Sequence, residues 1–173
     1  MDLVAEVYFA DLAKDIYNNQ SPDVDAICAK IRTEMVDDKE FQTSFSTLKS
    51  KNKELIRYIF RRIHKYLDPN QQEINVDNNV VHIEHIMPID NTQWNIDETI
   101  HDEYLWRLGN LALLAQKLNA KIKAKPFAEK KEEYKKSIIK PNDKLLEYDA
   151  WNSKTIESRQ QELSELAIKI WAK

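Results

Sequence analysis

The sequence predicts a mainly helical protein with a small β element near its middle, and three observations carry that expectation. Glycine and proline are scarce, one and five in 173 residues, whereas Lys, Glu, Leu and Ala are common, which favours helix. Apolar residues recur at helical spacing in the first and last thirds of the chain. Between them, at residues 74–84 and 111–114, short β-branched or continuous apolar runs replace that period.

The elements follow in chain order. Residues 2–18 place Leu3, Val4, Val7, Tyr8, Leu12 and Ile16 on one helical face. Ser21-Pro22 supplies a cap and a first-turn proline for a second helix through Ile27 and Ile31. Residues 38–49 carry no decisive period. Leu55, Ile56, Tyr58, Ile59, Ile63 and Tyr66 make 52–67 an amphipathic helix, stopped by Asp68-Pro69-Asn70. Glu73 to Val76 and Val80 to Glu84 flank Asn78-Asn79, which predicts a short hairpin. Pro88 ends its second strand and opens an irregular loop past Trp94 toward Trp106.

Gly109 then supplies a tight turn, Leu111 to Leu114 a further short strand, and Gln116 the start of a helix. Residues 127–137 read as a charged helix and Pro141-Asn142 as a turn. Residues 153–171 form a long helix with Ile156, Leu163, Leu166, Ala167, Ile170 and Trp171 on its apolar face. Trp151 and Trp171 are expected to pair in the core and seal that helix. The expected organisation is a helical scaffold or docking segment at 1–70, a central core at 71–126 and packing helices at 127–173, together one compact domain.

Composition excludes several classes. The chain is 42% hydrophobic and 32% charged, with no apolar run of bilayer length, so a soluble protein without membrane partners is expected. Its N-terminus lacks the pattern of a secretory leader, which points to the cytoplasm. Cys28 is the sole cysteine; it rules out a disulfide framework or multi-cysteine zinc, and is expected as a small buried group. The single glycine leaves no phosphate-cradling or dinucleotide loop, since both need several.

The middle of the chain carries the chemistry. His85 closes the run Val80-Val81-His82-Ile83-Glu84-His85-Ile86-Met87-Pro88, and Leu108-Gly109-Asn110-Leu111 and Leu118-Asn119-Ala120-Lys121 follow. Cutting a phosphodiester requires a base for water, charge stabilisation on the phosphate and help for the departing alkoxide. Histidine suits the first task at neutral pH. A hard cation suits the others and prefers oxygen donors such as the Glu84 carboxylate and the Asn119 amide. A zinc-protease reading fails, because His-Ile-Glu-His lacks the helical His-Glu-x-x-His spacing.

These runs resemble the HNH, or ββα-metal (His-Me finger), nuclease pattern. With Lys125-Pro126-Phe127-Ala128-Glu129-Lys130-Lys131 and the ending Trp151, Ile156, Arg159, Leu163 and Trp171, the stretch from about Leu55 to Trp171 resembles more narrowly the C-terminal nuclease domain of GmrSD-type, type IV modification-dependent restriction endonucleases. The resemblance implies a mainly α fold around a small ββα-metal core, with helical segments before and after a two-stranded hairpin. It implies His85 as the water-activating base, Asn110 as the residue bracing its loop, and Glu84 and Asn119 as ligands of one Mg²⁺ or Mn²⁺. Lys121 would face a phosphate, and the products would carry 5′-phosphate and 3′-hydroxyl ends. DNA, modified or not, is the implied partner, along with a nucleotide-dependent N-terminal restriction domain in cis or trans.

Some residues depart from that pattern or stay open. Structural zinc cysteines are missing, so the fold must rest on helix packing; Ile89 stands where relatives often carry glutamine, and Ala112 where threonine is frequent. His82 shares a strand face with Glu84 and is a candidate extra metal ligand. Strict alternation points Glu84 and His85 apart, so a bend between them is expected. His64 and His101 read as structural or solvent-facing.

Net charge is −3, yet from Lys117 to Lys136 eight lysines stand against three glutamates, a local balance of +5. Lys117, Lys121, Lys123 and Lys125 are the candidate DNA contacts, and Lys130 to Lys136 are expected to be a solvated helix face. The competing expectation is a helical module that binds DNA or a partner without cutting.

Overall fold

A computed structural model of the chain describes residues 3–18, 23–70, 74–75, 77 and 79–171. Two compact units divide after Asp37, inside the 1–70 segment. In the first, α1 (Leu3–Asn18) and α2 (Val24–Glu34) are joined by a Lys30–Asp15 ion pair of 3.4 Å. Asp23 caps α2 by accepting from the Asp25 and Ala26 amides; the expected cap Ser21-Pro22 lies outside the described residues. Cys28 is exposed, not buried. No residue of α2 is buried, so the helix offers a small apolar group no interior.

The second unit holds the remaining elements. These are α3 (Asp38–Ser46), α4 (Lys53–Leu67), β1 (Val81–His85), α5 (Glu98–Tyr104), β2 (Leu111–Ala115), α6 (Gln116–Ile122), α7 (Phe127–Tyr134) and α8 (Ser153–Trp171). Asn52 caps α4 through the Glu54 and Leu55 amides, and its buried stripe of Ile56, Ile59, Phe60 and Ile63 follows helical spacing. No helix among the described residues is long and apolar enough to cross a membrane.

The protein is mainly helical, and among the described residues the strands form one small antiparallel pair, β1 on β2, in register from Val81↔Ala115 to His85↔Leu111. The partner of β1 therefore comes from 111–115, and the local hairpin expected over 73–84 is replaced. Ile74 and Asn75 lie outside any strand, while Glu73, Val76 and Asn78 are outside the described residues. Side chains close this stretch on itself, Asn75 accepting from the Asp77 amide and Asp77 from the Asn79 amide, both at 2.8 Å. β2 outcompetes it because it is apolar on both faces. Leu111 and Leu113 enter one core cluster with α4, Leu163 and Ala167; Ala112 and Leu114 enter another with Ile122, Phe127, Trp151 and Ile156.

Three local expectations change. The loop toward Trp106 contains α5, capped by Asp97, and Pro141-Asn142 lies in a 3₁₀ segment, Lys140–Glu147. Trp151 stacks on Phe127 with centroids 5.1 Å apart, whereas Trp171 leans on Phe45 and Tyr58. The two tryptophans do not pair, because the 19 residues of α8 separate them by about 28 Å at 1.5 Å per residue. Gly109 sits in a 3₁₀ turn, Leu108–Asn110, without positive φ. What requires glycine is close approach: a Cβ there would meet the Ile156 carbonyl oxygen at 2.2 Å. Its amide donates to Gln160 at 2.8 Å, and the buried Arg159 donates to the Gly109 and Leu111 carbonyls at 2.7 and 2.8 Å.

Candidate active site

β1 ends at His85, and the chain leaves it through a loop held from behind. Asn110, fully buried, accepts from the Met87 amide at 2.8 Å and from the Trp151 indole at 3.0 Å. Its amide nitrogen donates to the Met87 and Leu105 carbonyls at 3.0 and 3.1 Å, and its backbone carbonyl accepts from Ile86 at 2.9 Å. All four side-chain bonds are local to that loop and its neighbours, so Asn110 fixes the posture of the segment after His85 and does not touch the histidine. His101 adds a second tie, its Nε2 lying 2.8 Å from the Pro88 carbonyl. His64 accepts from the Lys140 amide at 3.2 Å. Both histidines are buried and structural.

Glu84, His85 and Asn119 line one open cleft of about 370 Å³, with Asp90 and Lys123 beside them. The strand register is unbroken through His85, so the expected bend is absent; both residues line the cleft from a regular strand end. Asn119, half-buried on α6, makes no side-chain hydrogen bond among the described residues. Glu84 is held differently. The Lys130 ammonium donates to its Oε1 at 2.6 Å and to the His85 carbonyl at 2.9 Å, and the Tyr134 hydroxyl donates to the same Oε1 at 3.1 Å.

Burial sets the electrostatics here. It raises the Glu84 pKa, with Lys130 and Tyr134 pulling the other way, and it lowers that of Lys130 against the opposing pull of Glu84. Tyr134 is pushed well above its ordinary value, so its hydroxyl stays a donor. Burial first, then the Lys130 and His101 charges, lower His85 to about 4; its imidazole is neutral at physiological pH. The His85 ring meets Trp106 edge-on at 4.5 Å, and its Nε2 is enclosed without a hydrogen-bond partner.

Residues 35–166 match the family described as GmrSD restriction endonucleases, C-terminal domain. The chain belongs to that family. No curated protein matches it. Membership implies a restriction-endonuclease domain, with nuclease activity on DNA.

For a GmrSD C-terminal domain, the donor set at the cleft is hard: one carboxylate oxygen of Glu84 not used by Lys130, the Asn119 amide oxygen and Asp90. Among the described residues no three His, Cys, Asp or Glu side chains gather as a metal cluster, so a cation here would need the Asn119 amide. These oxygens suit Mg²⁺ or Mn²⁺, which keep several waters. His82 is not gathered with them; it lines a separate cleft with Lys53 and Arg57. Of the four candidate DNA lysines only Lys123 lines the Glu84 cleft. Lys121 pairs with Glu133 at 3.7 Å and Lys125 with Glu129 at 3.6 Å, which halves the free charge of that stripe. Lys117 is exposed.

Sequence reasoning missed Lys130, assigned to a solvated face. It is fully buried, with its ammonium 5.9 Å from the Trp94 ring centre. A signal was present: Phe127, Lys130 and Tyr134 fall at i, i+3 and i+7, the buried stripe of α7. Asp90 carried no such signal, being an exposed loop residue.

Proposed function

We propose that this chain is a metal-dependent DNA endonuclease of the restriction type. The observation that carries the reading is the convergence of Glu84 and His85, at the end of β1, and Asn119, on α6, on one cleft. Neutral His85 accepts the proton of the attacking water. Nε2 is enclosed without a partner, so the reading assigns Nδ1 to that water. Glu84 and Asn119 would hold one Mg²⁺ or Mn²⁺, which supplies charge stabilisation at the phosphate and the leaving oxygen. Asn110 keeps the loop after His85 in place, and Lys130 with Tyr134 fixes Glu84, leaving one carboxylate oxygen for the cleft. The inferred setting is cytoplasmic restriction of phage or modified DNA, with a nucleotide-dependent N-terminal domain in cis or trans choosing the target.

One observation favours a second reading, a domain that binds DNA without cutting: Lys130 already compensates much of the Glu84 charge. Plasmid cleavage separates the two. With Mg²⁺ or Mn²⁺ the wild-type protein should nick DNA, and His85→Ala should lose at least about a hundredfold in rate, the usual worth of a general base. Equal cutting by both proteins would remove His85 from the chemistry, and no cutting by either would favour the binding module.

A further inference from the structure

A second cleft, of about 520 Å³, borders the same strand end. It shares Ile83, His85 and Ile89 with the Glu84 cleft, and adds Lys53, Arg57, His82 and Trp106. Its polarity is opposite. The Glu84 cleft carries two carboxylates, Glu84 and Asp90, against one lysine, Lys123, whereas the second carries two cations and two imidazoles and no acid.

Arg57 makes the contrast sharper. It is only 5% exposed, donates one bond from Nη1 to the Val81 carbonyl at 2.6 Å, and leaves Nε buried without a partner. Among the described residues no carboxylate lies within ion-pair distance of it; burial and the like charge of Arg61 lower its pKa, against a weaker opposing pull from Glu54. Buried guanidinium groups are normally matched by an anion. Lys53, exposed on the first turn of α4, likewise forms no ion pair among the described residues. Cations without acids beside an aromatic edge suit a phosphate with a base next to it.

We propose that this basic cleft binds the phosphodiester backbone of a DNA strand, with Lys53 and Arg57 on a phosphate and Trp106 against the adjoining nucleoside. The strand would then pass His85 from the side opposite the oxygen donors, and the α6 lysines would be peripheral. A volume of this order accepts one nucleotide. The identity of the polymer rests on the nuclease reading; the anion site itself stands on the cleft.

Binding of a fluorescent single-stranded 12-mer to the full chain, measured by anisotropy in EDTA, tests this without any cutting. Lys53→Glu suits the test because a carboxylate in the first turn favours the helix, so folding is kept and circular dichroism checks it. Expected is about a tenfold weaker Kd at low salt, with a salt slope shallower by about one, while Lys121→Glu changes Kd by less than about twofold. In the wild type, inorganic phosphate alone should shift the NMR signals of the Arg57 Nε–H and Trp106 indole. A Lys53→Glu Kd within twofold of wild type, with binding lost in Lys121→Glu, would overturn the proposal, as would no oligonucleotide binding at all. Binding that depends on Lys53 in a protein that never cuts would sink the nuclease reading alone; cutting with no dependence on Lys53 would sink this one alone.

Discussion

The two clefts that meet at His85 differ in what holds their charges. On one side Glu84 is buried but matched, by Lys130 and Tyr134 on the inner face of α7. On the other side Arg57 is buried with its Nε unpartnered and, among the described residues, no close carboxylate partner, only the more distant pull of Glu54. A matched buried charge tells of positioning, since the pair fixes where the carboxylate stands. An unmatched one tells of a missing counter-charge. The imidazole between them is neutral, so it belongs electrostatically to neither side and can take a proton at the boundary.

The largest expected effect comes from unmatching the first cleft. Lys130→Met leaves the buried Glu84 carboxylate without its counter-charge, held by Tyr134 alone, and should cost about 3–5 kcal/mol, read as a lowered urea midpoint at unchanged slope. Glu84→Gln, which keeps an acceptor for Tyr134, should cost less. If Lys130→Met were as stable as wild type, the pair would not be a fixed element of the site.

Removing the brace comes next. Asn110→Ala strands the Met87 amide and carbonyl and the Trp151 indole N–H, and a loss of roughly 3 kcal/mol is expected. Cleavage should fall with it even at temperatures where the variant is folded. Full activity in a folded Asn110→Ala protein would show that loop posture is set elsewhere.

His85 itself provides a pH test in the metal-free protein. Its folded pKa of about 4 lies below the unfolded value near 6.5, so between those values the unfolded chain binds the extra proton. The contribution is fully present above about pH 6.5 and is lost as pH falls toward 4, a range worth up to about 3 kcal/mol. Denaturation in EDTA across that window should show a slope that His85→Gln flattens. An equally steep slope in the variant would assign the proton elsewhere. Smallest of all, Lys121→Ala should change stability by less than about 0.5 kcal/mol, because its pair with Glu133 is exposed on the lysine side and Lys136 remains on that acid.

How much of this was legible in the sequence follows from the range of the forces involved. Helix α4 was readable because its stripe is local, and β2 because Leu111 to Leu114 cannot be exposed on either face. The partner of β1 was not, because pairing 81–85 with 111–115 is decided by the two cores that β2 separates, thirty residues away in sequence. His85, Glu84 and Asn119 were found as residue types in a spaced pattern. The matching of Glu84 by Lys130 was lost to composition, since a lysine among lysines and glutamates reads as solvent-facing unless the Phe127–Lys130–Tyr134 period is weighed. Gly109 was noticed but for a turn, when its necessity is the approach of α8. Arg57 and Lys53 sit on a helix whose pattern is complete without them, and only the fold shows the cleft they line.

The claim that Glu84 and Asn119 hold a cation beside His85 is tested most directly by a crystal of the protein soaked with Mn²⁺ and measured at an anomalous wavelength. One strong peak coordinated by an oxygen of Glu84 and the amide oxygen of Asn119, abolished in Asn119→Ala, is expected. A peak bound elsewhere, or full occupancy persisting without Asn119, would contradict it.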